Sequence, residues 1–374
     1  MPSGSDRAPE PSHAIALPQT AAIEWLLRSA IGAASASAML GGLCNRLANE
    51  DAPISGAVLT VVSLDPMIAR RRIRWRRNDG RVAEEIQFHG AEAVADGEAD
   101  SSSLRLSLPG TQHQIEWLVG APAELNAKAR EYLEAISIVM AAPLQAVVER
   151  GVSRSLLQAY LGKRSAERVL SGTTRRGTGE VIDAVVWISD LRNFTQLSEI
   201  LGADRMITAL NDYCGRLVGS IQPFGGEVLK FIGDGLLAIF PVARKGEAAA
   251  CNAALAAVRA AREGMARLDA ERIKANLPPM PFGIGLHLGP VVYGNIGAPD
   301  RLDFTAIGPA VNVASRIEGL CRELGCPVLI SESVATRCAS PLAAAGSHSL
   351  RGSISPVALY TLPEISSKQD ADRH

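Results

Sequence analysis

The sequence predicts an α/β (α+β) protein whose second half is a ferredoxin-like domain, preceded by a small α/β module and a helical linker. Two observations carry this. After about residue 179, apolar segments alternate in the order strand-helix-strand-strand-helix-strand, the ferredoxin-like plan. Before it, a small-residue helix, several strand-like runs and a long helical stretch follow one another. At 374 residues the chain is also longer than one core usually serves, so two domains are expected.

The first part opens on MPSGSDRAPEPSHAIALPQT, which has no charged start followed by an apolar stretch and reads as a disordered leader over residues 1–20. A helix is expected over Ile23–Leu47. Strands are expected at Gly56–Leu64, Arg71–Arg77, Glu84–His89, Leu104–Leu108 and Gln114–Val119, separated by Asp, Gly and Ser clusters. In element order this 21–148 module resembles sensory modules of the GAF or PAS kind, and a purely structural dimerisation role fits it as well. Leu125, Tyr132, Leu133, Ile136, Val139, Met140 and Leu144 recur at helical spacing, with Pro143 expected to kink the helix. A second helical run, Leu156–Leu170, ends in the hinge SGTTRRGTG, so residues 149–178 read as helical linker and hinge. The 179–365 domain and a 366–374 tail follow.

Composition narrows the function. Hydrophobic residues make up 47% and charged residues 21%, and the net charge of -1 gives no global attraction to nucleic acid or anionic membrane. The basic run RRRIRWRR, Arg70–Arg77, alternates with Ile73 and Trp75 and reads as the charged face of an amphipathic strand, so no nucleic-acid partner is expected. No stretch reaches the roughly 20 apolar residues of a membrane span. The six cysteines form no CxxC or Cys/His cluster. A reduced, cytoplasmic protein without structural zinc is expected.

Three segments carry chemistry. In VVWISDLRNFT, residues 185–195, an apolar strand ends at Asp190 and a helix starts just beyond Thr195. A carboxylate facing the free amides of a helix N-terminus can hold a metal on the acid and phosphates on the amides, or can simply cap the helix. In GGEVLKFIGDGLLAIF, residues 225–240, Asp234 sits at the tip of a tight hairpin. It could come beside Asp190 as a second carboxylate for a pair of Mg2+ ions, or serve only the turn. Lys230 interrupts an apolar strand and by itself reads as outward-facing. In DFTAIGPAVNVASRIEGL, residues 303–320, Asn312 and Arg316 stand four apart on a helix starting near Ala310. They share a face suited to a sugar oxygen and a phosphate, or to solvent. His287, in an apolar strand, is expected to be packed.

Together these segments resemble the class III adenylate and guanylate cyclases over about half the chain. The resemblance implies Asp190 and Asp234 as ligands of two Mg2+ ions per site, with Leu191 beside them and Mn2+ able to substitute. It implies Lys230 and Thr305 as readers of the purine, and Asn312 and Arg316 as catalytic groups on the ribose and the transition state. Arg192, Asn193, Phe194, Thr195 and Gly233 are implied to line the substrate. It further implies a homodimer, joined through the catalytic domain and the helical linker, in which the metal half and the Lys/Thr/Asn/Arg half of each site come from different protomers.

The residues favour ATP. Adenine offers an acceptor at N1 to an ammonium and an amino group at N6 to a threonine oxygen. Guanine presents donors that want a carboxylate, and neither of the two reading positions is acidic. The reaction expected is ATP to cyclic AMP and pyrophosphate under control of the N-terminal module, with a guanylate cyclase or a catalytically silent nucleotide-binding protein as alternatives. The threonine resembles the choice of bicarbonate-responsive bacterial cyclases. Three departures stand out: Asn193 for the family's glycine, Pro309 for a common Asp or Asn, and Ser353 where many relatives carry a basic residue, with Arg351 a possible substitute.

Overall fold

The computed structural model describes residues 19–63, 65, 68–90, 102–173, 175, 177–243, 246–298, 300–351 and 355–365. Ser353, the leader and the tail lie outside the described residues, apart from Gln19 and Thr20. The chain divides into two compact units, Met1–Ala159 and Tyr160–His374.

In the first unit the expected single helix is two, α1 (Ala21–Arg28) and α2 (Ala36–Asn49), with a short 3-10 turn at Ala30–Gly32 between them. The Ser, Gly and Ala run between the helices explains the break. Ser35 accepts from the Ala38 amide at 3.1 Å and so starts a new helix instead of continuing the old one. Five strands follow: β1 (Gly56–Val62), β2 (Ile68–Arg76), β3 (Val82–Phe88), β4 (Ser103–Ser107) and β5 (Gln114–Leu118). They form one sheet in the order β3-β2-β1-β5-β4, antiparallel throughout. One face, with Leu59, Ile73, Trp75, Ile115 and Trp117, is packed in a core with Met39 and Leu43 of α2 and with Leu133, Ile136 and Met140 of the next helix.

That helix, α3 (Ala127–Leu161), continues through Pro143 as one element. By length and composition it is apolar enough to cross a bilayer, which the sequence reading did not anticipate. Part of its apolar surface packs in the core of this unit, where Leu133, Ile136, Met140, Leu144 and Val147 are buried. Gly162, at φ +81, ends α3, and α4 (Lys163–Leu170) begins directly after it.

The second unit continues with β6 (Gly179–Leu191), α5 (Phe194–Leu201) and α6 (Ala203–Ile221). The helix expected to start just beyond Thr195 starts at Phe194 and is split at Gly202, whose φ of +72 leaves the helical region. Next come β7 (Glu227–Ile232), β8 (Gly235–Pro241), α7 (Gly246–Lys274), β9 (Phe282–Ala298) and β10 (Arg301–Ile307). The unit closes with α8 (Pro309–Glu323), β11 (Val328–Ser331), α9 (Glu332–Ala335), β12 (Ala343–His348) and β13 (Val357–Thr361). The sheet runs β12-β13-β11-β9-β6-β8-β7, with β10 paired to β9. Its central β9-β6-β8-β7 segment is antiparallel and has the ferredoxin-like order, first strand between fourth and third.

The two sheet faces are covered differently. Val185, Trp187, Ala238 and Phe240 pack with Tyr213 and Leu217 of α6 and with Leu255 and Val258 of α7. Ala184, Val186, Leu237 and Ile239 instead cluster with Tyr293, Phe304 and Ala306 of the β9–β10 hairpin and with Ala310 and Ala314 of α8. Close approach of α8 requires glycine on β9. A Cβ on Gly285 would lie 2.6 Å from both the Ala314 carbonyl and the Glu318 amide.

Candidate active site

The alternation of β6 sends Asp190 to the same side as Ala184 and Val186, away from the α6–α7 layer. Asp190 pairs in register with Gly283 at the start of β9, and Asp234 sits in the two-residue tip between β7 and β8, after Gly233 at φ +64. The strand end and the hairpin tip meet. Burial and the neighbouring Asp234 carboxylate push the Asp190 carboxyl up to about 6. Two half-buried carboxylates this close repel each other when both are ionised, and a divalent cation relieves that repulsion. The donor set, two carboxylates beside the Leu191 backbone, fits oxygen-preferring Mg2+ or Mn2+. Among the described residues no third His, Cys, Asp or Glu completes a metal cluster with them.

Directly after Asp190, Asn193 adopts the left-handed conformation at φ +56, ψ +34. Asparagine tolerates this region better than most residues, which explains how it stands in for glycine. α5 starts at Phe194 with no side chain capping its first amides, so the amides there remain available to phosphate oxygens. Asn193, Thr195 and Gly233 are exposed and Phe194 is half-buried. Arg192 behaves differently from its neighbours. Its guanidinium lies 3.0 Å from Glu318 of α8, both side chains nearly buried. A Cβ on Gly283 would collide with this pair. Arg192 therefore ties the metal-binding strand end to α8, and its charge is committed within the chain.

A second corner assembles from β7 and β10. The Lys230 ammonium lies 2.6 Å from Asp303 Oδ2, and Thr305 is two residues along the same strand, on the same side. Thr305 is only 3% exposed and its Oγ1 has no hydrogen-bond partner. A buried hydroxyl left without a partner is costly, so this atom marks a place for a ligand group. Asp303 corrects one part of the sequence reading: a carboxylate does stand in this corner, although at neither of the two reading positions.

Asn312 and Arg316 stand on the exposed side of α8, opposite the buried Ala310, Ala314 and Ile317. Their side chains make no hydrogen bond or ion pair with the Asp190 corner or the Lys230 corner of the same chain. His287 is packed as expected: it hydrogen-bonds Ser331 Oγ at 3.0 Å, and burial pulls its pKa down. Arg351 is exposed. Sequence reasoning missed Glu318 and Asp303. Glu318 carried a signal, an acid on the otherwise apolar Ala310–Ala314–Ile317–Cys321 stripe; Asp303 carried none.

Comparison with known proteins agrees with this geometry. Residues 180–361 match the family model for the adenylate and guanylate cyclase catalytic domain. The chain is similar to an adenylate cyclase of Anabaena cylindrica, 36% identical over 175 residues that cover 46% of this chain and 32% of that protein. It is 31% identical over 159 residues to adenylate cyclase 1 of Rhizobium meliloti, covering 42% of this chain and 23% of that one. The chain thus spans about a third or less of these relatives. A solved bacterial light-regulated adenylyl cyclase shares the fold at TM-score 0.51 and 23% identity, over 71% of this chain and 85% of that one. Residues 180–361, with their paired aspartates and NVASR helix, are a catalytic domain of the class III adenylate and guanylate cyclase family.

Proposed function

We propose that the protein is an adenylate cyclase, converting ATP to 3′,5′-cyclic AMP and pyrophosphate in a homodimer. The observation that carries this is the purine corner: an ammonium, Lys230, beside a buried hydroxyl without a partner, Thr305 Oγ1. Lys230 donates to adenine N1, and Thr305 accepts from the N6 amino group. The amides at the start of α5 receive phosphate oxygens. Two Mg2+ ions held by Asp190, Asp234 and the Leu191 backbone would acidify the ribose 3′-hydroxyl and neutralise the triphosphate. The 3′-oxygen then bonds to the α-phosphorus as the bond to pyrophosphate breaks. Asn312 orients the ribose, and Arg316 offsets charge developing on the phosphoryl oxygens.

Asn312 and Arg316 stay uncommitted within the chain, which supports their serving a site completed by a second copy. Exposed apolar side chains at Phe231, Ile232 and Ile307, adjoining the tip and the purine corner in sequence, give that copy something to bury. In this reading the first unit, a GAF- or PAS-like module by element order, is regulatory, and α3–α4 link it to the catalytic domain and to the partner. Six unpaired thiols support a reducing, cytoplasmic setting. Bicarbonate sensitivity goes with the threonine.

A second reading, GTP as substrate, is favoured by Asp303, whose carboxylate could accept from guanine N1 and N2. Incubating the purified protein with Mg2+ or Mn2+ and each nucleotide decides between them. Cyclic AMP from ATP is expected well in excess of cyclic GMP from GTP. Dominant cyclic GMP would reverse the substrate, and no cyclic product from either nucleotide would contradict the cyclase reading itself.

A further inference from the structure

The first unit carries an arginine-lined groove on the sheet face opposite its core. Along β2 the side chains alternate: Ile73 and Trp75 enter the core, while Arg72, Arg74 and Arg76 project to the other face. Register fixes what stands beside them. Arg76 is opposite Gly56 and then Leu118; Arg74 is opposite Val58 and then Glu116; Arg72 is opposite Thr60 and then Gln114. The β1 residues in the middle are small, so the surface sinks between the arginines and β5. The result is an open groove of about 800 Å³ with an apolar floor of Gly56, Val58 and Leu118. That volume is in the range of small-molecule sites.

The charges do not cancel. Glu116, the carboxylate lining the groove, is held by Arg105 at 3.2 Å and Ser103 at 3.1 Å. Glu84 points to the other side, to Arg71 at 3.1 Å. Glu85 is opposite Arg72 on β3, yet no ion pair joins them. Among the described residues Arg72, Arg74 and Arg76 have no acidic partner, and the Arg72 Nε is buried without any hydrogen bond. Arg77, at the rim, is spent on the Ala48, Ile54 and Ala52 carbonyls.

We propose that this groove binds a phosphate-bearing small molecule, its phosphates on Arg72, Arg74 and Arg76 and its apolar part on Val58 and Leu118. Guanidinium forks match phosphate oxygens in bidentate geometry, and arginines two apart on a strand, about 7 Å, let one ligand engage several of them. The site lies wholly within the first unit and is separate from the nucleotide corner of the second.

The test is calorimetric titration of the full chain with inorganic pyrophosphate in EDTA, so that the metal-dependent catalytic site is not filled, with citrate as a parallel arm. Saturable binding of pyrophosphate is expected, unchanged in Asp234→Asn and weakened at least tenfold in Arg72→Gln/Arg74→Gln. Arg74→Lys, which keeps the charge but not the fork, should weaken binding less than Arg72→Gln/Arg74→Gln does, and the exposed Arg76→Gln, which carries little folding risk, should weaken binding several-fold. Binding that survives in Arg72→Gln/Arg74→Gln and Arg76→Gln, or that is lost in Asp234→Asn, overturns the site. Citrate binding as tightly as pyrophosphate overturns the ligand class, and absence of saturable binding overturns both.

Discussion

Lys230 on β7 and Asp303 on β10 form an ion pair at 2.6 Å, two residues from the buried, unpartnered Thr305 hydroxyl. The pair joins a sheet-edge strand to the β9–β10 hairpin and fixes where the ammonium stands before any nucleotide arrives. In the proposed purine corner the lysine is therefore already oriented and the carboxylate already partnered.

If Asp303 positions Lys230, Asp303→Asn should raise KM for ATP several-fold with a smaller change in kcat. Asp303→Ala should do more. Steady-state kinetics on both variants provide the check; an unchanged KM would mean the pair opens without consequence when substrate binds.

Lys230→Glu with Thr305→Cys replaces the adenine-reading groups. ATP turnover should fall and the ratio of GTP to ATP turnover should rise by at least tenfold, which is about 1.4 kcal/mol of discrimination. Asp303 would then face a second carboxylate in place of the ammonium, so adding Asp303→Asn should raise GTP turnover further. A ratio that does not move would remove both residues from base reading.

The metal corner predicts a pH dependence. The Asp190 carboxyl is raised from 3.8 to about 6 by burial and by Asp234. A raised carboxyl favours the folded state while protonated, an advantage complete below the unfolded value and lost as pH rises through about 6. Metal-free protein should therefore melt at progressively lower temperature between about pH 4 and about pH 6.5, whereas Mg2+ should stabilise most at the upper end. Asp190→Asn should flatten both trends and nearly abolish turnover. A metal-free melting temperature independent of pH, matching that of Asp190→Asn, would contradict the pairing of the two carboxylates.

Much of the catalytic fold was legible because apolar periodicity and turn residues agree there: the β7–β8 hairpin and the start of α8 lie where GDG and Pro309 place them. Helix breaks were less legible. Gly202 sits inside a continuous apolar period, and only its positive φ, invisible in sequence, splits α5 from α6. Pro143 does not end α3, which continues past it as a single element. The strands of the first unit were readable from alternation, but the meaning of RRRIRWRR was not. Its three outward arginines become a groove only because β1 offers Gly56, Val58 and Thr60 beside them. Motif residues were readable one by one, while their sequence-distant partners in the same chain were not. Glu318 and Asp303 pair with Arg192 and Lys230 across 126 and 73 residues, separations at which local pattern says nothing.

Each active site is proposed to combine the Asp190–Asp234 corner of one protomer with the Lys230, Thr305, Asn312 and Arg316 groups of another. Asp190→Asn and Arg316→Ala homodimers should each be nearly inactive, because both of their sites carry a lesion. Co-expressed with separate tags and purified as the mixed dimer, they place both lesions in one site and leave the other intact. Cyclic AMP production from ATP at about half the parental rate per dimer is the predicted result. Mixed dimers as inactive as either homodimer would mean that the site closes within one chain, and the shared-site account would fail.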